Sequence, residues 1–323
     1  MHSINNPSEE SNRYSWCVAV FAARETPLQL LATINAIVHA AHEPTVIDVM
    51  VNGNSSLARE FAALVKTTGQ LPVIRIWLVA LGGKAHAWNQ YVHLVWPGAM
   101  NTFFVDGYAS IHPNALELLA TGMSSSPHSI AATALPTSGA SASTLREQMT
   151  RHGGLTGALF ALKESTMGEL RTRDIRLPLG LYGFDTLLGA VLGFGLDPAK
   201  NEWNPQKYIL VHPEVTFTIP TKKWWRYSDV KTQLNRILNN ALRVLVIQAT
   251  KNFLAYRKLP PEHLPRTIED FILGWMQMDP PGASRTLWKS PLCWVALNKL
   301  RHPKDWSAAE LPPNMLYASR PLV

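Results

Sequence analysis

Between residues 16 and 125, short apolar runs rich in strand formers alternate with stretches whose apolar residues recur at helical spacing. "WCVAVFAA" (16–23) leads into a segment with Leu28, Leu31, Ile34 and Val38 on one face and Pro27 near its start. "TVIDVMVNGNSS" leads into "LAREFAALVKTTG", and "VIRIWLVA" into "KAHAWNQYVHLVW". "TFFVDG" leads into "HPNALELLATGM", with Pro113 in the first turn. Repeated strand–helix alternation predicts a doubly wound α/β sheet, whose ligands bind beyond the carboxyl ends of the strands. Asp106, Ala22-Ala23-Arg24 and Asn52-Gly53-Asn54 sit at such ends.

The rest of the chain is less regular. "SIAATALPT" and "GGLTGALFALK" read as strands, with a flexible loop at 138–143 between them. "LPLGLYGFDTLLGAVLGFG" holds a turn and a short helix from about Asp185, and "YILVHPEVTFTIP" is extended. A long amphipathic helix starts near Ser228 and carries Val230, Leu234, Ile237, Leu238, Ala241 and Leu245 along one face. Its polar face, with Lys231, Arg236, Arg243, Lys251 and Arg257, could lie on anionic lipid, though packing on the domain is the commoner use of such a helix. Pro260, Pro261 and Pro265 end it; a further helix near 267–278 and a proline-rich tail follow.

At 323 residues and 46% hydrophobic content the chain can bury a large core, and 16% charge excludes a disordered or nucleic-acid-coating chain. The balance of +7 suits anionic partners. Cys17 and Cys293 form no metal-ligand spacing or disulfide framework, the N-terminus shows no apolar signal core, and no run is long enough to span a bilayer. These features predict a cytoplasmic protein.

Five stretches, in order over about residues 16 to 240, give the chain its resemblance to family 2 glycosyltransferases of the GT-A fold. They are "VAVFAARET", "VMVNGNSS", "GGKAHAWNQYV" (Gly83, Lys84, Ala87 and Asn89 matching Gly-Lys-x-x-Ala-x-Asn), "FFVDGYASIHPNAL" and "LYGFDTLLG". The resemblance implies a Rossmann-like mixed sheet flanked by helices, with a C-terminal helical extension. It implies a flexible N-terminus at 1–15, a nucleotide-sugar-binding half at 16–125, an acceptor-binding half at 126–227 and the extension with its proline-rich tail at 228–323. The activity implied is inverting transfer of a sugar from a nucleotide-sugar donor, by default a UDP-sugar, to a hydroxyl of a glycan, lipid-linked or small-molecule acceptor. The setting is bacterial-type glycan, glycolipid or glycoconjugate biosynthesis, and peripheral contact with the inner face of the membrane is the lesser expectation.

The same resemblance implies the site residues. Asp185 is the base, and Ala22, Arg24, Asn52, Asn54, Lys84, Asp106 and Tyr108 bind donor and nucleotide. Gly154, Trp224 and Trp225 line the acceptor, and Arg226 and Arg236 neutralise diphosphate. Asp106 and His212 are the expected ligands of a divalent metal, Mn2+ or Mg2+. Departures from the family pattern bear on each role. Asn52 or Asn54 replaces the acid after the second strand, Phe184 replaces the acid before the base, and Asp106-Gly107-Tyr108 is one acid short of Asp-x-Asp. The metal is therefore expected to be weakly held, completed by nucleotide and dispensable, with the Tyr108 hydroxyl bonding a phosphate or the sugar instead. Gln233 and Arg236 keep two positions of Gln-x-x-Arg-Trp, but Ile237 replaces Trp, against a processive polymer synthase. Two other readings stand beside this one: a GT-A protein that binds a nucleotide or glycan without turnover, and a nucleotidyltransferase, although "AARETPLQ" lacks the glycines of a phosphate loop.

Overall fold

The computed structural model describes residues 14–67, 72–139, 142–219, 227–301 and 304–319, without the side chains of 67, 227–237 and 299. The strands are β1 (Trp16–Ala22), β2 (Thr45–Asn52), β3 (Val73–Val79), β4 (Asn101–Asp106), β5 (Ser110–Ile111), β6 (Ala131–Pro136), β7 (Leu159–Lys163), β8 (Ile209–Thr218) and β9 (Asn314–Ala318). Among the described residues they form one mixed sheet, in the order β5-β8-β6-β7-β4-β1-β2-β3-β9. The run β3-β2-β1-β4 is parallel. Every residue of β1 and β2 is buried, as helices on both faces of a parallel sheet require. β7 then pairs antiparallel to β4, and β6 antiparallel to β7.

Strand order reverses at β1. The chain moves outward through β2 and β3, then returns to the other side of β1 as β4. The loops leaving β1 and β4 therefore part company, and a crevice opens between them at the carboxyl edge. Local sequence fixes both walls. Thr26 and Gln29 form a capping box with Pro27 at the first helical position, so the helix Pro27–Ala40 starts four residues after β1 ends. Gly107 follows Asp106 because a Cβ there would lie 3.1 Å from both Ala22 Cβ and Phe21 O.

The helix Tyr227–Thr250 buries Ala241, Leu242, Leu245, Val246 and Ala249 in the core shared with the helices Ile268–Met278 and Leu292–Leu300. From Ala241 onward its apolar residues are thus covered by protein. Three features depart from the sequence reading. A helix Ala142–His152 begins at the end of the loop expected at 138–143 and occupies the stretch after it. A helix Glu164–Thr172 follows β7 directly. The proline-rich tail holds the helices Pro280–Lys289 and Leu292–Leu300 and the edge strand β9, antiparallel to β3. The described prolines of the tail, Pro280, Pro281, Pro291, Pro312 and Pro313, fall at helix starts and between elements, where a missing N–H costs nothing. No described helix is long and apolar enough to cross a membrane.

One buried ion pair crosses the parallel strands. Arg75 on β3 donates to both oxygens of Asp48 on β2 at 2.7 and 2.8 Å, and Trp77 Nε1 donates to Asp48 Oδ1 at 2.8 Å. Asp48 is fully buried. Asp48→Ala is expected to cost about 3–5 kcal/mol in chemical denaturation, because it leaves a guanidinium and an indole N–H without their acceptor. A loss under about 1 kcal/mol, the level of an exposed pair, would show that water reaches the site.

Candidate active site

Four segments converge in the crevice. β3 ends in a turn at Gly82-Gly83, after which the helix Lys84–Gln90 begins. Asn52 at the end of β2 fixes that turn: its Nδ2 donates to Ala22 O at 2.9 Å, and its Oδ1 accepts from Gly83 N at 2.9 Å. Gly53 lies so close that a Cβ there would come 2.6 Å from Gly82 Cα, and its φ of +66° is one that glycine adopts freely. The helix start, and Lys84 with it, is thereby tied to the ends of β1 and β2.

Lys84 reaches Asp106 at the end of β4, forming an ion pair with Oδ1. Its Nζ also donates to Gly157 O at 2.6 Å. The ammonium lies 4.5 Å from the Phe184 ring centroid and 5.8 Å from that of Phe21. Phe184, standing where the family pattern has an acid, thus gives the cation an aromatic face. Gly157 is required by space: a Cβ there would meet Phe184 at 2.8 Å, Lys84 Nζ at 3.3 Å and Asp185 Cβ at 3.5 Å. The same contacts bring Lys84 Nζ and Asp185 Cβ each to within 3.5 Å of one point.

The second oxygen of Asp106 is also engaged, accepting from Tyr108 Oη at 2.8 Å. A tyrosine has a single O–H, and here it is given to Asp106; its lone pairs remain open to a sugar hydroxyl. Burial first, then the charge and hydrogen bond of Asp106 and the charges of Glu25 and Asp185, push the Tyr108 pKa well above the ordinary phenol range. Asp185 occupies the first turn of the helix Phe184–Gly193, where the helix dipole favours negative charge. Arg243 of the helix Tyr227–Thr250 lies 3.4 Å from Asp185 Oδ2 and donates to Thr186 Oγ1 at 3.0 and 3.1 Å.

Not all expected residues meet here. Ala22 is buried, and Arg24 is exposed at the rim. Asn54 donates to Ala23 O at 2.8 Å and accepts from Leu57 N at 3.1 Å, capping the helix Ser55–Thr67. The amides of Asn52 and Asn54 therefore hold the loop backbone, which takes up the groups that sequence alone offered to a nucleobase. Gly154 has φ +131° and open space where a side chain would stand. Trp224, Trp225 and Arg226 lie outside the described residues, as does the side chain of Arg236.

His212 is a correction. It lies on β8, separated from β4 by β6 and β7. Three strand spacings put it on the order of 14 Å from Asp106, too far to share one ion. Its ring lies against Gly122, and burial lowers its pKa. Both Asp106 oxygens are engaged by Lys84 and Tyr108. Among the described residues, no group of three His, Cys, Asp or Glu side chains is placed to hold a metal. The residues present do not fit a resident divalent ion. Sequence reasoning had no signal for Arg243, which it left on a solvent face, or for the carbonyl of Gly157.

No protein-family model matches the sequence, and no curated protein matches it. Solved structures do. The chain superposes on the mannosyltransferase PcManGT from Pyrobaculum calidifontis, in complex with GDP-Man and Mn2+, with a TM-score of 0.51 at 16% identity, covering 93% of this chain and 79% of that one. The fold is GT-A. A second GT-A match is S. aureus TarS 1–349 in complex with UDP-GlcNAc, with a TM-score of 0.50 at 13% identity over 88% of this chain and 80% of that one.

If Asp106 is closed to metal by Lys84 and Tyr108, Mn2+ or Mg2+ added to the free protein should leave its Tm unchanged. A rise in Tm that Asp106→Ala removes would show that a cation displaces Lys84 and that the carboxylate is a ligand.

Proposed function

We propose that this chain is an inverting glycosyltransferase that moves a sugar from a nucleotide-sugar donor to an acceptor hydroxyl. The observation that supports this most is that a half-buried cation, Lys84, and a carboxylate, Asp185, both lie against Gly157, at the strand ends where a GT-A fold opens its crevice. The nucleotide lies over the ends of β1 and β2, near Arg24 and Asn54, with its diphosphate towards Lys84. The acceptor enters from the side of Gly154, and Trp224, Trp225, Arg226 and Arg236 remain candidates for acceptor and diphosphate contacts.

The chemistry follows from charge. The acceptor oxygen bonds to the anomeric carbon as the bond from that carbon to the diphosphate oxygen breaks, and the electron pair leaves with the nucleoside diphosphate. An ammonium has three donors. Asp106 and Gly157 O take two of those on Lys84, and the third is left for a diphosphate oxygen. Phe21 and Phe184 shield part of it from water, which strengthens its action on the leaving group. Asp185 accepts the acceptor's proton from the opposite side, and Arg243 and the helix start hold its carboxylate in place. Attack opposite to the leaving group inverts the anomeric centre.

In this reading Lys84 supplies the positive charge that the sequence resemblance assigned to a divalent metal. The protein is placed in the cytoplasm, in glycan, glycolipid or glycoconjugate assembly, with a UDP-sugar as the default donor and a GDP-sugar as the next to try.

Incubation with a panel of UDP- and GDP-sugars is expected to release nucleoside diphosphate from one of them, with the rate retained in chelator. Asp185→Asn should lower turnover by roughly 10²–10⁴-fold and leave donor binding near normal. Lys84→Met should lose turnover by about 10²-fold or more, the scale of removing one electrostatic donor at a transition state. Binding of a nucleotide sugar with no release under any condition would favour a protein that binds without turnover. Full turnover by Asp185→Asn would remove that residue from the mechanism.

A further inference from the structure

Away from the crevice, the helices Pro280–Lys289 and Leu292–Leu300 present an unusual outer surface. Their inner sides are buried through Ala283, Leu287, Cys293 and Leu297. Outside, Trp288 is 83% exposed, Leu292 47%, Trp294 53% and Val295 53%. Scattered exposed apolar residues are ordinary, but four within eight consecutive positions, two of them tryptophans, make a patch.

The charge of the segment that carries the patch is of one sign. Between Asp279 and Asp305 the sequence has no acid and carries Arg285, Lys289, Lys299, Arg301 and Lys304. Arg285, Lys289, Arg301 and Lys304 are exposed. Exposed basic side chains in the same segment as exposed tryptophans match the two layers of an anionic bilayer surface. Phosphate headgroups meet the cations, and the indoles lie at the headgroup boundary with their N–H groups still hydrated.

We propose that the 280–301 segment docks this protein on an anionic lipid surface, with Trp288 and Trp294 inserted at the interface. This differs from the contact first suggested by the sequence, where the amphipathic helix starting near Ser228 was the candidate; from Ala241 onward the core takes up the apolar residues of that helix. The docking face is coupled to the crevice by a short path. Cys293 packs on the helix Tyr227–Thr250 with its Sγ 3.5 Å from Ala241 O, and Arg243, two residues on, meets Asp185. On the glycosyltransferase reading, this brings the acceptor side near a membrane and favours a lipid-linked acceptor; the docking itself does not rest on that reading.

Flotation of the full chain with vesicles of phosphatidylcholine and phosphatidylglycerol tests the proposal. Binding is expected at low salt, with strong weakening at high salt and none to phosphatidylcholine alone. Trp288→Ser with Trp294→Ser should lose flotation with Tm unchanged. Arg285→Ser with Lys289→Ser should weaken it by on the order of twentyfold, roughly fivefold per charge. Absence of flotation at low salt would overturn the proposal, as would undiminished flotation of the tryptophan variant. A dimer in light scattering that the same tryptophan substitutions dissociate would also overturn it, since the patch would then be covered by a second copy. Diphosphate release to a soluble acceptor should be unchanged in all these variants, so failure of docking and failure of the catalytic reading are separable.

Discussion

The Lys84 ammonium joins four parts of the chain that are distant in sequence. It belongs to the helix start after β3, pairs with Asp106 at the end of β4, bonds the carbonyl of Gly157 before β7, and rests against the Phe184 ring at the start of another helix. A buried cation is costly unless it is paired and hydrogen-bonded. Each of these neighbours answers that cost, and together they fix the shape of the crevice. Gly157 admits the lysine where a Cβ would collide. Tyr108 takes the carboxylate oxygen that Lys84 leaves free.

This arrangement also accounts for the departures from the family pattern as a set. With the second acid of Asp-x-Asp replaced by Tyr108 and the acid before Asp185 replaced by Phe184, the crevice has fewer anions to attract a divalent ion. Asp106 then balances one lysine. In the reading proposed above, a covalently attached cation takes the place of a removable metal cation, with aromatic faces in place of carboxylates.

The parallel half of the fold was legible in the sequence because β1 to β4 and their helices obey clear periods, buried on both faces for the strands and one-sided for the helices. The meeting of Asp106 and Lys84 was legible only as two motifs, since ion pairing between strand ends 22 residues apart is a matter of topology. The backbone bonds of Asn52 and Asn54 were not legible, because an amide that can read a base can equally cap a backbone, and periodicity does not tell the two apart. His212 was misplaced because its strand inserts beyond β6 rather than beside β4. β9 was invisible: five residues after a proline-rich run pair with β3 across some 240 positions, and no local pattern announces such a partner.

The central claim is that Lys84, balanced by Asp106, supplies the positive charge for the leaving diphosphate. The most direct measurement is a crystal structure of the protein with a nucleoside diphosphate, grown once in chelator and once in manganese. The account predicts the same pose in both, with a diphosphate oxygen within hydrogen-bond distance of Lys84 Nζ and Asp106 still paired to the lysine. A manganese ion bridging Asp106 and the diphosphate, with Lys84 displaced and the nucleotide missing from the chelated crystal, would contradict it.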